Sequence, residues 1–271
     1  MGRFHGKNNW GIILGASSGM GLATARKLAS EGMNLILVYR ERRSKQEEID
    51  QAFDNLRKGG ASVMGYNTDA TNEEKVLALV EEIKKSIGDG KVKLLLHSIA
   101  KGNLKLLTNP PENSAIEYPP QYLNPSDFAL TSESMAFSLV LWIRKLDEAD
   151  LIADHAQIIG LTSAGDQRVW KGYGAVAAAK SALETIIKYT AVEFSHKNIN
   201  ANVIEAGVTP TASMKMIPGS DQMIEKLATV HPKNRLTSPE DVANVVFLLT
   251  LDEAHWINGA RIVVDGGESL I

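Results

Sequence analysis

The chain has 271 residues, 44% of them hydrophobic and 23% charged, with 22 glycines and a formal net charge of −3. Such a balance gives no electrostatic reason to expect nucleic acid or an anionic membrane as partner. With no cysteine, disulfides, thiolate metal sites and thiol nucleophiles are excluded, and His5, His155, His196, His231 and His255 show no metal-ligand spacing.

Near the start, the apolar stretch Trp10 to Leu14 runs straight into glycines. It is too short for a signal-peptide core or a membrane span, so a soluble, cytoplasmic protein is expected. GIILGA (11–16) reads as a buried strand, followed by a helix to Ser30 and a stop at Gly32. LILVY (35–39) is a second strand, and a charged helix from Glu41 to Lys58 ends at Gly59-Gly60. SVMGYN is a third strand. Thr71 opens a helix to Ile87, with Glu74 three residues on as in a capping box. VKLLLHS (92–98) has no polar face, as a strand covered on both sides requires.

A Pro-rich loop spans 102–125, with Pro110, Pro111, Pro119, Pro120, Pro125, Tyr118 and Tyr122. Next come a helix from about Ser126, the strand QIIGLT (157–162) and a helix from Tyr173 to Phe194. INANVIEA (199–206) is a sixth strand, a Met-rich irregular stretch follows, a helix runs from Pro239 to Thr250, and ARIVVDGG closes the chain. Alternating strands and helices without internal repeats predict one domain over 1–271. Its class is α/β, a Rossmann-like doubly wound seven-stranded parallel sheet flanked by helices on both faces.

The turn Gly15-Ala-Ser17-Ser18-Gly19-Met20-Gly21 lies between the first strand and first helix. Glycines there let backbone N–H groups approach a pyrophosphate at the positive helix end. The spacing is G-x-x-x-G-x-G, not the common G-x-G-x-x-G. An acid at the end of the second strand would bind a ribose 2′-hydroxyl, an arginine a 2′-phosphate. Here that strand ends in Arg40, followed by Arg42 and Arg43, so NADPH is expected ahead of NADH. Asp69 and Ala70, in NTDAT, follow the third strand. Asp69 either accepts a hydrogen bond from the adenine amino group or serves as a turn residue ahead of Thr71.

Tyr173 and Lys180 are seven apart, with Val176 four before the lysine. Seven helical residues rotate through about 700°, returning both side chains to one face roughly 10 Å apart; a spacing of four would give about 6 Å. Alone, such a pair could be a chance feature of a helix surface.

Together, Gly15/Gly19/Gly21, Asp69, Ser163, Lys180, the Gly207-to-Thr211 turn and Asp265-Gly266-Gly267 resemble the short-chain dehydrogenase/reductase family over essentially the whole chain. His97-Ser98-Ile99-Ala100 replaces the family's usual Asn-Asn-Ala-Gly, and Ser134 stands in place of the catalytic-tetrad asparagine. Tyr-x6-Lys replaces Tyr-x3-Lys. These features resemble the single-domain enoyl-acyl-carrier-protein reductases of fatty-acid synthesis, in an NADPH-dependent branch. The departures are Ser163 where many such reductases carry a second tyrosine, the long 102–125 segment, and Lys101 directly after HSIA.

The resemblance implies reduction of an enoyl thioester carried on acyl-carrier protein or coenzyme A, in a homo-oligomer, a tetramer by analogy. It implies Tyr173 as donor to the thioester oxygen and Lys180 as ligand of the nicotinamide ribose. Ser98, Ile99 and Ala100 would line the cofactor, and Val208 and Thr211 would meet its carboxamide and phosphates. Ser163 either assists the oxygen or satisfies backbone groups at a strand end. The stretch 209–232, with Met214, Met216, Ile217, Met223 and Leu227, reads as a substrate lid or as ordinary core packing. His97 is read as filler under the sheet edge. Val176 argues against simple ketone reduction, since valine cannot protonate an alkoxide. A carbonyl reductase and a non-catalytic NADPH-binding protein are the competing readings.

Overall fold

The computed structural model describes residues 2–110, 116–119 and 121–271. Its strands are β1 (Asn9–Leu14), β2 (Asn34–Tyr39), β3 (Val63–Asn67), β4 (Lys91–His97), β5 (Ile152–Thr162), β6 (Asn200–Ala206) and β7 (Arg261–Val264). They form one sheet in the order β3-β2-β1-β4-β5-β6-β7, and every neighbouring pair is parallel. The helices are α1 (Gly19–Ser30), α2 (Gln46–Arg57), α3 (Glu73–Ile87), α4 (Pro125–Ser132), α5 (Ser138–Glu148), α6 (Gly174–Glu193), α7 (Ala212–Lys215), α8 (Ser220–Val230) and α9 (Pro239–Leu249). No described helix is long and apolar enough to cross a membrane.

The seven-stranded, doubly wound sheet expected from the alternating pattern is what forms, and β1, β2 and β4 show why. All but the first residue of each is buried. Such strands are stable only between two helical layers. Because successive side chains point to opposite faces, Ile12, Leu14, Leu95 and Ile158 pack with Val80, Trp142 and Leu183 from α3, α5 and α6. Ile13, Leu37, Leu96 and Ile159 pack with Leu28, Phe53 and Val246 from α1, α2 and α9.

After β1 the chain runs outward to β2 and β3, then returns to place β4 on the other side of β1. The crevice beyond the carboxyl ends of β1 and β4 is where ligands bind in open sheets of this kind. Leu14, His97, Thr162 and Ala206 end their strands at that edge, and Gly15, Ser98, Ser163 and Gly207 follow them.

Several local features differ from the sequence reading, each for a physical reason. α2 begins at Gln46, because residues 43–45 form a separate 3₁₀ turn. The α3 cap is Asn72, whose side chain accepts from the Lys75 amide at 3.0 Å, while Thr71 is engaged by Asp69. Capping boxes occur instead at Asn124/Asp127 and Ser238/Asp241. A π-helical turn, Glu133–Phe137, divides the helix expected from Ser126 into α4 and α5. Ser134 lies in that turn with its hydroxyl donating to the Leu130 carbonyl. β5 starts five residues earlier than periodicity indicates, where exposed Asp154 and His155 hide the strand signal.

Candidate active site

Gly15 adopts φ +90°, and a Cβ there would lie 2.5 Å from the Ser98 carbonyl oxygen. A Cβ on Gly21 would lie 2.2 Å from the Gly15 carbonyl oxygen. Only glycine permits this packing of the β1–α1 turn against the end of β4, which places Ser98, Ile99 and Ala100 beside it. Across the turn, a Cβ on Gly19 would come 3.6 Å from the Thr211 side chain. Ser17, Ser18 and Met20 remain at least partly exposed. Ser18 makes no side-chain cap and the first turn of α1 carries no acid, so its amides and partial positive charge face outward. A cradle of this shape fits a dinucleotide pyrophosphate.

At the end of β2, Arg40 pairs with Asp69 at 2.7 Å. Asp69 also accepts from the Thr71 amide at 3.0 Å and hydroxyl at 2.7 Å, so it serves as a turn residue as well as an ion partner. Burial pushes its carboxyl up, but the Thr71 bonds and the charges of Arg40 and Lys101 outweigh that and hold it below the ordinary range. Arg40 keeps 60% of its side-chain surface exposed, and such a pair is weak enough to yield to a stronger anion. Glu41 lies beside it and accepts from the Ser17 hydroxyl at 3.4 Å. Ala70 is buried, its carbonyl accepting from the Trp142 indole at 2.9 Å.

Tyr173 immediately precedes α6 and Lys180 lies within it, so the seven-residue spacing is realised on helical geometry. The Tyr173 hydroxyl and Ser163 Oγ are 3.1 Å apart, joining the end of β5 to the start of α6. Burial raises the Tyr173 phenol above its ordinary value, and the Ser163 bond opposes the rise. Lys180 is buried and donates to the Leu161 carbonyl at 2.7 Å. Burial pulls its ammonium down to about 8, against the charge of Glu184. Beneath them, His97 is fully buried with Nε2 2.9 Å from Ser138 Oγ. Burial and the Lys180 charge bring it down to about 3, leaving a neutral ring.

Val176 is buried with Met135 and Ala179. The backbone of Gly102 lies directly over it: a Cβ on Gly102 would meet Val176 Cγ2 at 2.7 Å and Thr131 Cγ2 at 2.8 Å. The space a tyrosine at position 176 would need is therefore filled by the start of the 102–125 loop. Val176→Tyr is expected to displace residues 101–104 and to destabilise the fold by about 1–3 kcal/mol, the usual range for overpacking. Thermal unfolding beside a ketone assay checks this; gain of ketone reduction with unchanged stability would contradict it.

Two loops meet near Tyr173. The Trp170 indole donates to the Pro218 carbonyl at 2.8 Å, and Ile116 and Trp170 crowd Gly219. Tyr118 approaches Gly172. Pro111 and Pro120 lie outside the described residues. Met214, Met216, Ile217, Met223 and Leu227 all keep partial or full exposure and belong to neither large core. The Val208 amide donates to Glu268 at 2.9 Å. Burial foremost raises the Glu268 carboxyl, with the Asp265 charge adding to it and the Val208 bond opposing it.

Sequence reasoning missed Arg261, which sits among Asp166, Glu184 and Glu205. Glu184, four residues after Lys180, is the one member that helical spacing could have signalled. No described group of three His, Asp or Glu side chains could hold a metal ion.

Residues 15–269 match the model of the enoyl-(acyl carrier protein) reductase family. The chain is 27% identical over 264 residues to an NADH-dependent enoyl-acyl-carrier-protein reductase of Bacillus cereus, covering 96% of each chain. It is 25% identical over 263 residues to an NADPH-dependent enoyl-acyl-carrier-protein reductase of Staphylococcus aureus, again covering 96% of each. Among solved structures, the Bacillus cereus enoyl-acyl carrier protein reductase with NADP+ and indole naphthyridinone superposes with a TM-score of 0.83. The two share 26% identity, over 100% of this chain and 99% of that one.

Proposed function

The chain belongs to the enoyl-(acyl carrier protein) reductase family, oxidoreductases acting on CH–CH bonds with a nicotinamide cofactor, and from that premise we propose that it reduces the 2,3-double bond of an enoyl thioester with NADPH. The observation that carries this reading is the Tyr173–Ser163 hydroxyl pair at 3.1 Å, together with the filled space at Val176. When bound, the nicotinamide supplies a hydride to C3 of the enoyl group. Tyr173 hydrogen-bonds the thioester oxygen, where negative charge grows as C3 is reduced, and so stabilises the enolate more than the ground state until C2 takes up a proton from solvent. Ser163 holds the phenol and offers a second hydroxyl to the same oxygen.

Lys180, anchored on the Leu161 carbonyl, holds the ribose hydroxyls and places positive charge near the developing anion. The glycine turn takes the pyrophosphate, and Arg40 leaves Asp69 to pair with the 2′-phosphate. The 209–232 segment acts as the lid over the acyl chain, with the 102–125 loop as the facing wall. Exposed Tyr189 and Val192 on α6 support self-association through that helix.

NADH use is the second reading, favoured by Glu41, whose carboxylate reaches Ser17 beside the glycine turn, where a 2′-hydroxyl could be bound. Arg40→Ala decides between them. It is expected to raise the KM for NADPH about tenfold or more and to leave that for NADH nearly unchanged, the loss of a charge-assisted phosphate contact. Equal effects on both cofactors would contradict the assignment of Arg40. The function itself is tested by NADPH oxidation with trans-2-enoyl thioesters of several lengths, on acyl-carrier protein and on coenzyme A, beside a panel of ketones. Turnover confined to ketones would overturn it in favour of a carbonyl reductase, and tight NADPH binding without any hydride transfer would mark a non-catalytic binder.

A further inference from the structure

Arg261 projects from β7 into a set of three carboxylates. Its guanidinium holds Asp166 bidentately, Nη1 to Oδ2 at 2.8 Å and Nη2 to Oδ1 at 3.0 Å. Nη1 also donates to Glu184 Oε2 at 3.0 Å, and Nε donates to Glu205 Oε2 at 2.5 Å. Glu184 in turn accepts from the Thr162 hydroxyl at 2.6 Å. The side chains of Glu184 and Glu205 are 9% and 5% exposed, Asp166 28% and Arg261 19%. One planar cation thus ties together four separate pieces of chain: β7, β6, α6 and the short turn Ala164–Asp166. A lysine could not make all three sets of contacts with one fixed geometry.

That turn is the support of the proposed oxygen-binding pair. Ser163 leads into it, and the Gln167 and Arg168 amides close it on the Ala164 carbonyl at 3.0 and 2.7 Å. Gly165 lies against the Tyr173 ring, so closely that a Cβ there would come within 2.7 Å of Cε1. The same cation grips α6 through Glu184, one helical turn past Lys180. On the reading that Tyr173, Ser163 and Lys180 act together, the geometry points to Arg261, working through Asp166 and Glu184, as the positioning residue that sets the Ser163–Tyr173 hydroxyls at a fixed distance from Lys180. It touches neither substrate nor cofactor. Its effect is on the placement of groups that do, where a shift of about 1 Å can cost up to about 100-fold in rate.

Removing Arg261 would strand two buried carboxylates, so the test cuts the clamp at its most exposed arm. Asp166→Asn and Asp166→Ala leave Glu184 and Glu205 paired with the arginine. Asp166→Ala is expected to lower kcat for an enoyl thioester about tenfold with NADPH affinity within twofold of wild type, and Asp166→Asn to fall between the two. In a Ser163→Ala/Tyr173→Phe background the same substitution should have little further effect, because both hydroxyls it positions are gone. Hydrogen exchange gives a readout independent of turnover: amides of residues 164–168 should exchange about tenfold faster in Asp166→Ala, with α6 unchanged. Unaltered exchange in the turn, or an equal rate loss with and without the Ser163 and Tyr173 hydroxyls, would overturn the assignment. If the wild-type protein turns over no enoyl thioester, the proposed reaction fails while the exchange result still decides whether Arg261 holds the turn.

Discussion

Tyr173→Phe is expected to lower kcat for an enoyl thioester by about 100-fold, with KM for NADPH little changed. Loss of one preorganised donor to a developing oxyanion costs on this order. The phenol is raised by burial, so at neutral pH it is a full O–H donor and the substitution removes one hydrogen bond with little change in volume. Ser163 Oγ, 3.1 Å away, can partly take its place, which keeps the loss from being total. Ser163→Ala alone should therefore cost less than Tyr173→Phe, and the double variant more than either. Steady-state kinetics of the three variants check this. A Tyr173→Phe enzyme within twofold of wild type would remove the phenol from the chemistry.

The second large effect is expected at Lys180. Lys180→Ala removes a buried cation whose present partner is the Leu161 carbonyl, and with it the proposed hold on the ribose. NADPH affinity should fall about 10- to 100-fold, the cost of about 1.5–3 kcal/mol for hydrogen bonds to a charged group, and kcat should fall with it. A pH dependence follows from the same burial. The ammonium is brought down to about 8, so it is charged below that value and loses its proton as pH rises through it. The Tyr173 phenol is shifted the other way and stays protonated across this range. Turnover should therefore decline through about pH 8 because of the lysine. A profile flat to pH 10 would contradict the role given to its charge. Fluorescence titration of NADPH across pH separates loss of binding from loss of chemistry.

Much of the frame is legible along the chain because it rests on local chemistry. The glycine turn must be glycine where Gly15 runs under the Ser98 carbonyl, and the doubly buried β4 has no polar residue between Lys93 and His97. The Tyr173–Lys180 spacing is legible because the tyrosine caps the helix that carries the lysine. What the sequence hides is tertiary. Nothing near Val176 reveals that Gly102, 74 positions earlier, would cover it. Arg261 is an ordinary charged residue in a short strand until the fold brings Asp166, Glu184 and Glu205 to it. The Arg40–Asp69 pair crosses from the end of β2 to the turn after β3, so two residues assigned separate roles meet. The methionines of 209–232 read two ways because thioethers at helical spacing fit a core as well as a surface, and in the structure they stay partly or fully exposed.

On the proposed mechanism the displaced tyrosine serves an oxygen remote from the carbon that receives hydride. This is tested most directly by following the label from NADPH deuterated at the transferable C4 position, with a trans-2-enoyl thioester as acceptor. The expected product is a saturated thioester carrying deuterium at C3, formed by the wild-type enzyme and about 100-fold more slowly by Tyr173→Phe. Deuterium on a carbinol carbon, with the double bond intact, would contradict it.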